Sequence, residues 1–162
     1  MIIICEGNKI MFEKILVPVD GSEHSDKALL YARGLAEKFE SQIILVHVFS
    51  VPIPLDEVTE HAIGAKGIPP EFMEAKEKAE EDILKRAEAE VEKAQEGKKR
   101  IPIMAYLKEG NIVQEIISIS EKEKADLIVM GARGISKLKE VLLGSVSDGV
   151  ARNAHCPIMI IK

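Results

Sequence analysis

An open parallel α/β sheet with helices on both faces is the fold this sequence predicts, and three observations predict it. Five short apolar runs of strand length recur along the 162 residues. A longer amphipathic stretch separates most of these runs from the next. The runs are apolar throughout instead of alternating with polar residues, as burial on both faces of a sheet requires. Strand and helix in alternation imply crossover units and hence a parallel sheet.

Residues 14–19 form the first run, stopped by Asp20-Gly21-Ser22. From Ser22 or Ser25 to Phe39, the residues Ala28, Leu29, Tyr31, Ala32, Leu35, Ala36 and Phe39 keep helical spacing. Both serines are N-cap candidates, and Glu23 and Asp26 suit the positive start of a helix. Residues 43–48 are the second strand. Residues 51–70 hold Pro52, Pro54, Pro69, Pro70, Gly64 and Gly67, so they read as a long loop. Loops of that length often serve as lids or interaction surfaces.

Residues 71–96 read as a long helix with Phe72, Ala75, Ala79, Ile83, Ala87, Val91 and Ala94 on one stripe. Its other positions carry alternating charge, with i,i+4 pairs such as Glu81 and Lys85, which fits a solvated outer face. After Gly97, residues 101–107 make the third strand. Gly110-Asn111 opens a helix to about Lys124, with Ile112, Val113, Ile116, Ile117 and Ile119 inward. Residues 126–131 are the fourth strand. A glycine-bearing loop leads to a helix over 145–153 and a last strand over 157–161. Residues 1–11 fall outside the pattern and read as an N-terminal extension, leaving 12–162 as one domain.

Composition narrows the function. Hydrophobic residues make up 46% and charged residues 30%, the balance of a globular domain. The formal charge of −5 gives no basic tract for nucleic acid or an anionic membrane. Aromatics are 4% with no Trp, which argues against stacking platforms. The apolar start is interrupted by Glu6, Asn8 and Lys9, so it reads as neither signal peptide nor membrane span, and a cytoplasmic location is the expectation. Two cysteines, Cys5 and Cys156, cannot staple the chain or build a zinc site. His24, His47, His61 and His155 are scattered, with no pair at metal-ligand spacing. His47 lies in a buried strand and reads as a satisfied internal histidine.

In an open parallel sheet, ligands bind beyond the carboxyl ends of the strands where the strand order reverses. The first strand ends in Pro18-Val19-Asp20-Gly21-Ser22. The fourth ends in Met130-Gly131-Ala132-Arg133-Gly134 and reaches Gly144-Ser145-Val146-Ser147 after nine further residues. Gly131, lacking a Cβ, lets a ligand approach the strand end, and Gly134 supplies positive φ to turn amides inward. Gly144 opens a helix whose first amides, with the Ser145 and Ser147 hydroxyls, face an anion. Together these make a phosphate cradle; the same glycines could also serve only a tight loop, with Ser145 capping its helix. Asp20 suits either hydroxyl recognition or capping. Arg133, Lys137 and Lys139 can add charge near a phosphate or stay solvated. No Gly-Lys-Ser/Thr follows the first strand, so this is not a Walker loop.

The segments VPVDGS at 17–22, LVHV at 45–48 and VMGARG…LLGSVS at 129–147 resemble the universal stress protein family across about residues 12–162. The spacing Gly131-x2-Gly134-x9-Gly144-Ser145 matches the ATP-binding branch without a gap. The resemblance implies a Rossmann-like sheet in strand order 3-2-1-4-5, similar to adenine nucleotide alpha hydrolases, with ATP at the reversal. It implies Pro18 and Asp20 near the adenosine, and the Val48 backbone and Met130 near the adenine. Gly131 and Gly134 fall to ribose and phosphates, Gly144, Ser145 and Val146 to phosphates, and Ser147 is a weaker candidate. It further implies Mg²⁺ or Mn²⁺ with the triphosphate, a homodimer through the last strand at 157–162, and a nucleotide-dependent regulatory role read by a protein partner. The alternative is a slow ATP hydrolase, for which the sequence offers no convincing base.

Overall fold

The computed structural model describes residues 12–50, 70–93, 100–135 and 143–162. Five strands form one sheet: β1 (Lys14–Pro18), β2 (Gln42–Phe49), β3 (Ile103–Glu109), β4 (Leu127–Gly131) and β5 (Ile158–Ile161). Among the described residues, four helices connect them: α1 (Glu23–Phe39), α2 (Pro70–Lys93), α3 (Ile112–Lys122) and α4 (Ser145–Asn153). The strand order is β3-β2-β1-β4-β5 and every pairing is parallel. The expected extension at 1–11, the loop at 51–69, Gly97, Lys137 and Lys139 lie outside the described residues.

The side-chain alternation of the strands divides the core in two. Ile15, Val17, Ile43, Leu45, Leu127 and Val129 pack against α1 and α2 with Ala28, Leu29, Ala32, Leu84, Ala87 and Val91. Leu16, Ile44, Val46, Ile128 and Met130 pack against α3 and α4 with Ile116, Ile119 and Val150. Both sheet faces are therefore covered, which is why the central strands carry no polar alternation.

Local rules set the helix ends. Ser22, not Ser25, is the α1 N-cap: its hydroxyl accepts from the Ser25 amide at 3.2 Å. Asn111 caps α3 in the same way through the Gln114 amide at 3.1 Å. Four expected inward positions face solvent instead. Tyr31 is 59% and Ile112 36% exposed, and Ala75 and Ala79 in the first turns of α2 are exposed too. The apolar stripe of α2 becomes buried only from Ile83 onward, where the helix reaches the sheet face.

Candidate functional site

β1 pairs with β4 at only two positions, Ile15–Leu127 and Leu16–Ile128, and then parts from it. β2 runs past the end of β1, whose last partner is Val46 opposite Pro18. The divergence opens a hollow of about 930 Å³ at the carboxyl ends of the strands. This is the point where the strand order reverses, and the volume lies at the upper end of ordinary small-molecule pockets. Pro18, Asp20, Val48, Met130, Gly131, Gly134, Gly144, Ser145, Val146 and Ser147 all line it. Thus the first strand's tip, the second strand's end and the glycine loop meet in one place.

The loop after β4 is closed at its neck. The Ala132 carbonyl accepts from the Gly144 amide at 2.8 Å and from the Ser147 hydroxyl at 2.8 Å, while the Ala132 amide donates to Ile161 on β5 at 2.7 Å. Gly144 is the α4 N-cap and makes no side-chain cap bond. The Ser145, Val146 and Ser147 amides of the first turn have no acceptor among the described residues. Such amides, with the positive helix end behind them, suit an anion. Asp148 in the same turn is balanced by Arg152 at 2.9 Å, a hydrogen bond that holds its carboxyl below the usual range.

The glycines act differently from the sequence expectation. Gly134 does not take positive φ; that conformation falls to Gly21 (φ 75°), which turns the chain from β1 into α1. At Gly131, which lines the hollow, the absent side chain has a structural role. A Cβ there would stand 2.8 Å from the backbone carbon of His24, so the missing side chain admits the start of α1. Ser147 is 2% exposed, and its hydroxyl is spent on the Ala132 and Gly144 carbonyls, leaving only its amide for a ligand. Asp20 does not cap α1, a role that Ser22 takes; its Oδ1 accepts from the Ser22 amide at 3.0 Å, and its Oδ2 leans toward Gly134.

His47, Ile112 and Arg133 are among the further residues that line the hollow. His47 is 4% exposed, with Nδ1 2.6 Å from the Val19 carbonyl and Nε2 2.7 Å from Glu80 Oε2. The internal histidine is satisfied, as its strand position implies, but one of its partners is a carboxylate on α2 that the sequence did not flag. Ile112 stands at the rim. Arg133 lines the loop side, with no ion-pair partner for its guanidinium among the described residues. Also among the described residues, no group of three or more His, Cys, Asp or Glu is placed to hold a metal ion, and no helix is long and apolar enough to cross a membrane.

Residues 11–162 match the model described as the universal stress protein family. Universal stress protein MJ0531 of Methanocaldococcus jannaschii is 35% identical over 98% of this chain and 87% of its own length. Universal stress protein YxiE of Bacillus subtilis is 35% identical over 94% of this chain and all of its own. Among solved structures, that of MJ0577 is 30% identical with a TM-score of 0.71, covering 94% of this chain and 97% of that one. The Archaeoglobus fulgidus universal stress protein, solved in complex with dAMP, has a TM-score of 0.61 at 20% identity, covering 94% of this chain and all of its own.

Proposed function

The chain belongs to the universal stress protein family, and from that premise we propose that its hollow binds ATP and that the chain acts as a nucleotide-dependent regulatory module. One observation carries the reading. The α4 amide turn, the glycine loop, the Asp20 carboxylate and the end of β2 converge on a single hollow at the strand-order reversal. A structural neighbour holding dAMP supports the adenine end of the ligand.

In this reading the polyphosphate meets the Ser145, Val146 and Ser147 amides. Gly144 holds the turn that presents them through its own amide's bond to the Ala132 carbonyl, and Arg133 adds charge from the loop. Asp20 Oδ2 accepts from a ribose hydroxyl. Val48 lies beyond the last β1 partner, so the segment of β2 that carries it has no strand neighbour on that side and meets the adenine. Met130 packs beneath. The lining carboxylates offer no ready metal cluster: Glu80 is bound to His47 and Asp148 to Arg152. Mg²⁺ or Mn²⁺ would accordingly be held by phosphate oxygens and water. Residues 12–162 act as one domain, and the open edge of β5, at 157–162, pairs with a second copy. A cytoplasmic location and a protein partner that reads the liganded surface complete the proposal.

Thermal melting tests it. A ligand at a hundredfold excess over its Kd stabilises by about 2.7 kcal/mol, so ATP should raise the melting temperature while GTP leaves it unchanged. No shift with ATP, AMP or dAMP would overturn the reading. Phosphate release followed over hours separates a binder from a slow hydrolase, and sedimentation at micromolar concentration tests the dimer.

A further inference from the structure

The His47–Glu80 contact has an unusual donor count. A carbonyl oxygen only accepts, so the Nδ1 facing Val19 must carry a proton. Nε2 then faces a carboxylate oxygen at 2.7 Å. That approach is attractive only if one further proton lies between them, on the ring or on Glu80. With this proton the pair is neutral overall in either arrangement. Without it, two lone pairs face each other inside a site where His47 is 4% exposed.

The pair also touches the machinery of the hollow. Val19 is pinned from both sides: its amide donates to Val46 at 2.9 Å and its carbonyl accepts from His47 at 2.6 Å. The next residue is Asp20. We propose that His47 and Glu80 are positioning residues that fix the Pro18–Asp20 turn through one shared proton and so make nucleotide binding weaken as pH rises. This rests on the reading that the hollow takes an adenine nucleotide.

The direction follows from the contact itself. Raising the pH transfers the shared proton to water. Neutral His47 keeps its Nδ1 bond to Val19, but Glu80 is repelled, α2 loses its hold on the ring, and the turn that carries Asp20 is less fixed. The charged groups around the ring do not duplicate this effect. On α2, Lys76 is occupied by the Ser50 carbonyl at 2.6 Å. On β3, Leu107 stands opposite His47, and Glu109 lies two residues further along. Asp20, Arg133 and Asp148 line other parts of the hollow.

Glu80→Gln separates the shared proton from simple packing. A glutamine amide can donate to Nε2 of a neutral ring or accept from a protonated one, so both contacts survive without the extra proton. The experiment measures the ATP dissociation constant by calorimetry from about pH 5.5 to about pH 8.5 for wild type, Glu80→Gln and His47→Phe. ATP's own terminal phosphate titrates in this window, and comparison between variants cancels it. Wild type should weaken by at least about fivefold more than Glu80→Gln across the range, the lower end of ordinary coupling between sites. His47→Phe should bind more weakly throughout and share the flat response. Equal slopes in wild type and Glu80→Gln would overturn the proposal while leaving nucleotide binding intact. Absence of ATP binding by wild type at every pH would instead bring down the reading of the hollow itself, and this coupling with it.

Discussion

Asp20 Oδ2 lies 2.5 Å from the point where a Cβ on Gly134 would stand. Two segments more than a hundred residues apart in sequence thus share one boundary, and the glycine is required by a carboxylate instead of by backbone conformation. A methyl group at Gly134 must push the Asp20 carboxylate aside, although the backbone there accepts alanine.

Gly134→Ala should therefore abolish ATP-induced thermal stabilisation while changing the melting point of the ligand-free protein little. The double variant Asp20→Ala with Gly134→Ala decides the cause. If displacement of Asp20 is the damage, the double variant binds no worse than Asp20→Ala alone. Additive losses would mean that Gly134 contacts the ligand independently. Gly144→Ala is the control. Its new Cβ would meet nothing closer than the Ala132 oxygen at 3.4 Å, so the fold should tolerate it.

The same substitution at two other glycines should have opposite signs. At Gly131, a Cβ would lie 2.8 Å from backbone and side-chain carbons of His24 and 2.9 Å from its carbonyl oxygen, and a helix backbone cannot yield cheaply. Gly131→Ala should cost about 1–3 kcal/mol, the usual range for overpacking. Gly34 lies within α1, and a methyl group placed on it would meet nothing within 4 Å, so Gly34→Ala should stabilise by about 0.5–1 kcal/mol. Urea denaturation of the two variants checks both. A neutral Gly131→Ala would show that α1 can slide on β4.

The strands were legible because burial on both faces writes itself as uninterrupted apolar runs, as at 127–130 and 43–46. The glycine loop was legible because Gly131 ends one apolar run and Gly144-Ser145 opens the next helix. What stayed hidden was Glu80. Reading α2 as one continuous stripe put Ala75 and Ala79 inward, yet both are exposed. In its first turns α2 lies over the polar end of β2, where Lys76 meets the Ser50 carbonyl and Glu80 meets His47. A 3.6-residue period detects apolar contact with a sheet face; it is blind where a helix packs through charged groups against a strand's end. Gly131 and Gly134 were recognised as necessary, but their neighbours, His24 and Asp20, depend on tertiary approach that spacing does not encode.

Cys156 should be a slow nucleophile. It is partly buried, and burial, reinforced by the negative charge of Asp126, pushes its thiol above the ordinary range. Less thiolate at a given pH means slower alkylation. Peptide-resolved mass spectrometry, which separates Cys156 from Cys5, should show iodoacetamide reacting with Cys156 more slowly in native protein than in urea. Equal rates in the two conditions would contradict this placement.

Tyr106 on β3 offers a test of pH-dependent stability in which the sign is fixed by geometry. Its hydroxyl donates to Glu123 Oε1 at 2.6 Å, just beyond the end of α3. That hydrogen bond, then burial, then the carboxylate's charge, all raise its ionisation above the usual tyrosine range. A group whose folded value is raised contributes stability that is present in full below its unfolded value, about pH 10 for tyrosine, and is lost as pH climbs through the folded value. Tyr106→Phe should thus cost about 1 kcal/mol near neutral pH, the net worth of one such bond. The gap should narrow in urea melts as the pH rises above about 10 and close once Tyr106 ionises in the folded wild type, where it and Glu123 then repel. Lysines also lose charge there, but they do so equally in both proteins, so the difference between variants isolates Tyr106. Lys14, whose Nζ donates to the Glu123 carbonyl at 2.9 Å, keeps the carboxylate's backbone anchored in either variant. A gap that stays constant from neutral to alkaline pH would mean that the hydroxyl is solvated and the bond to Glu123 contributes nothing.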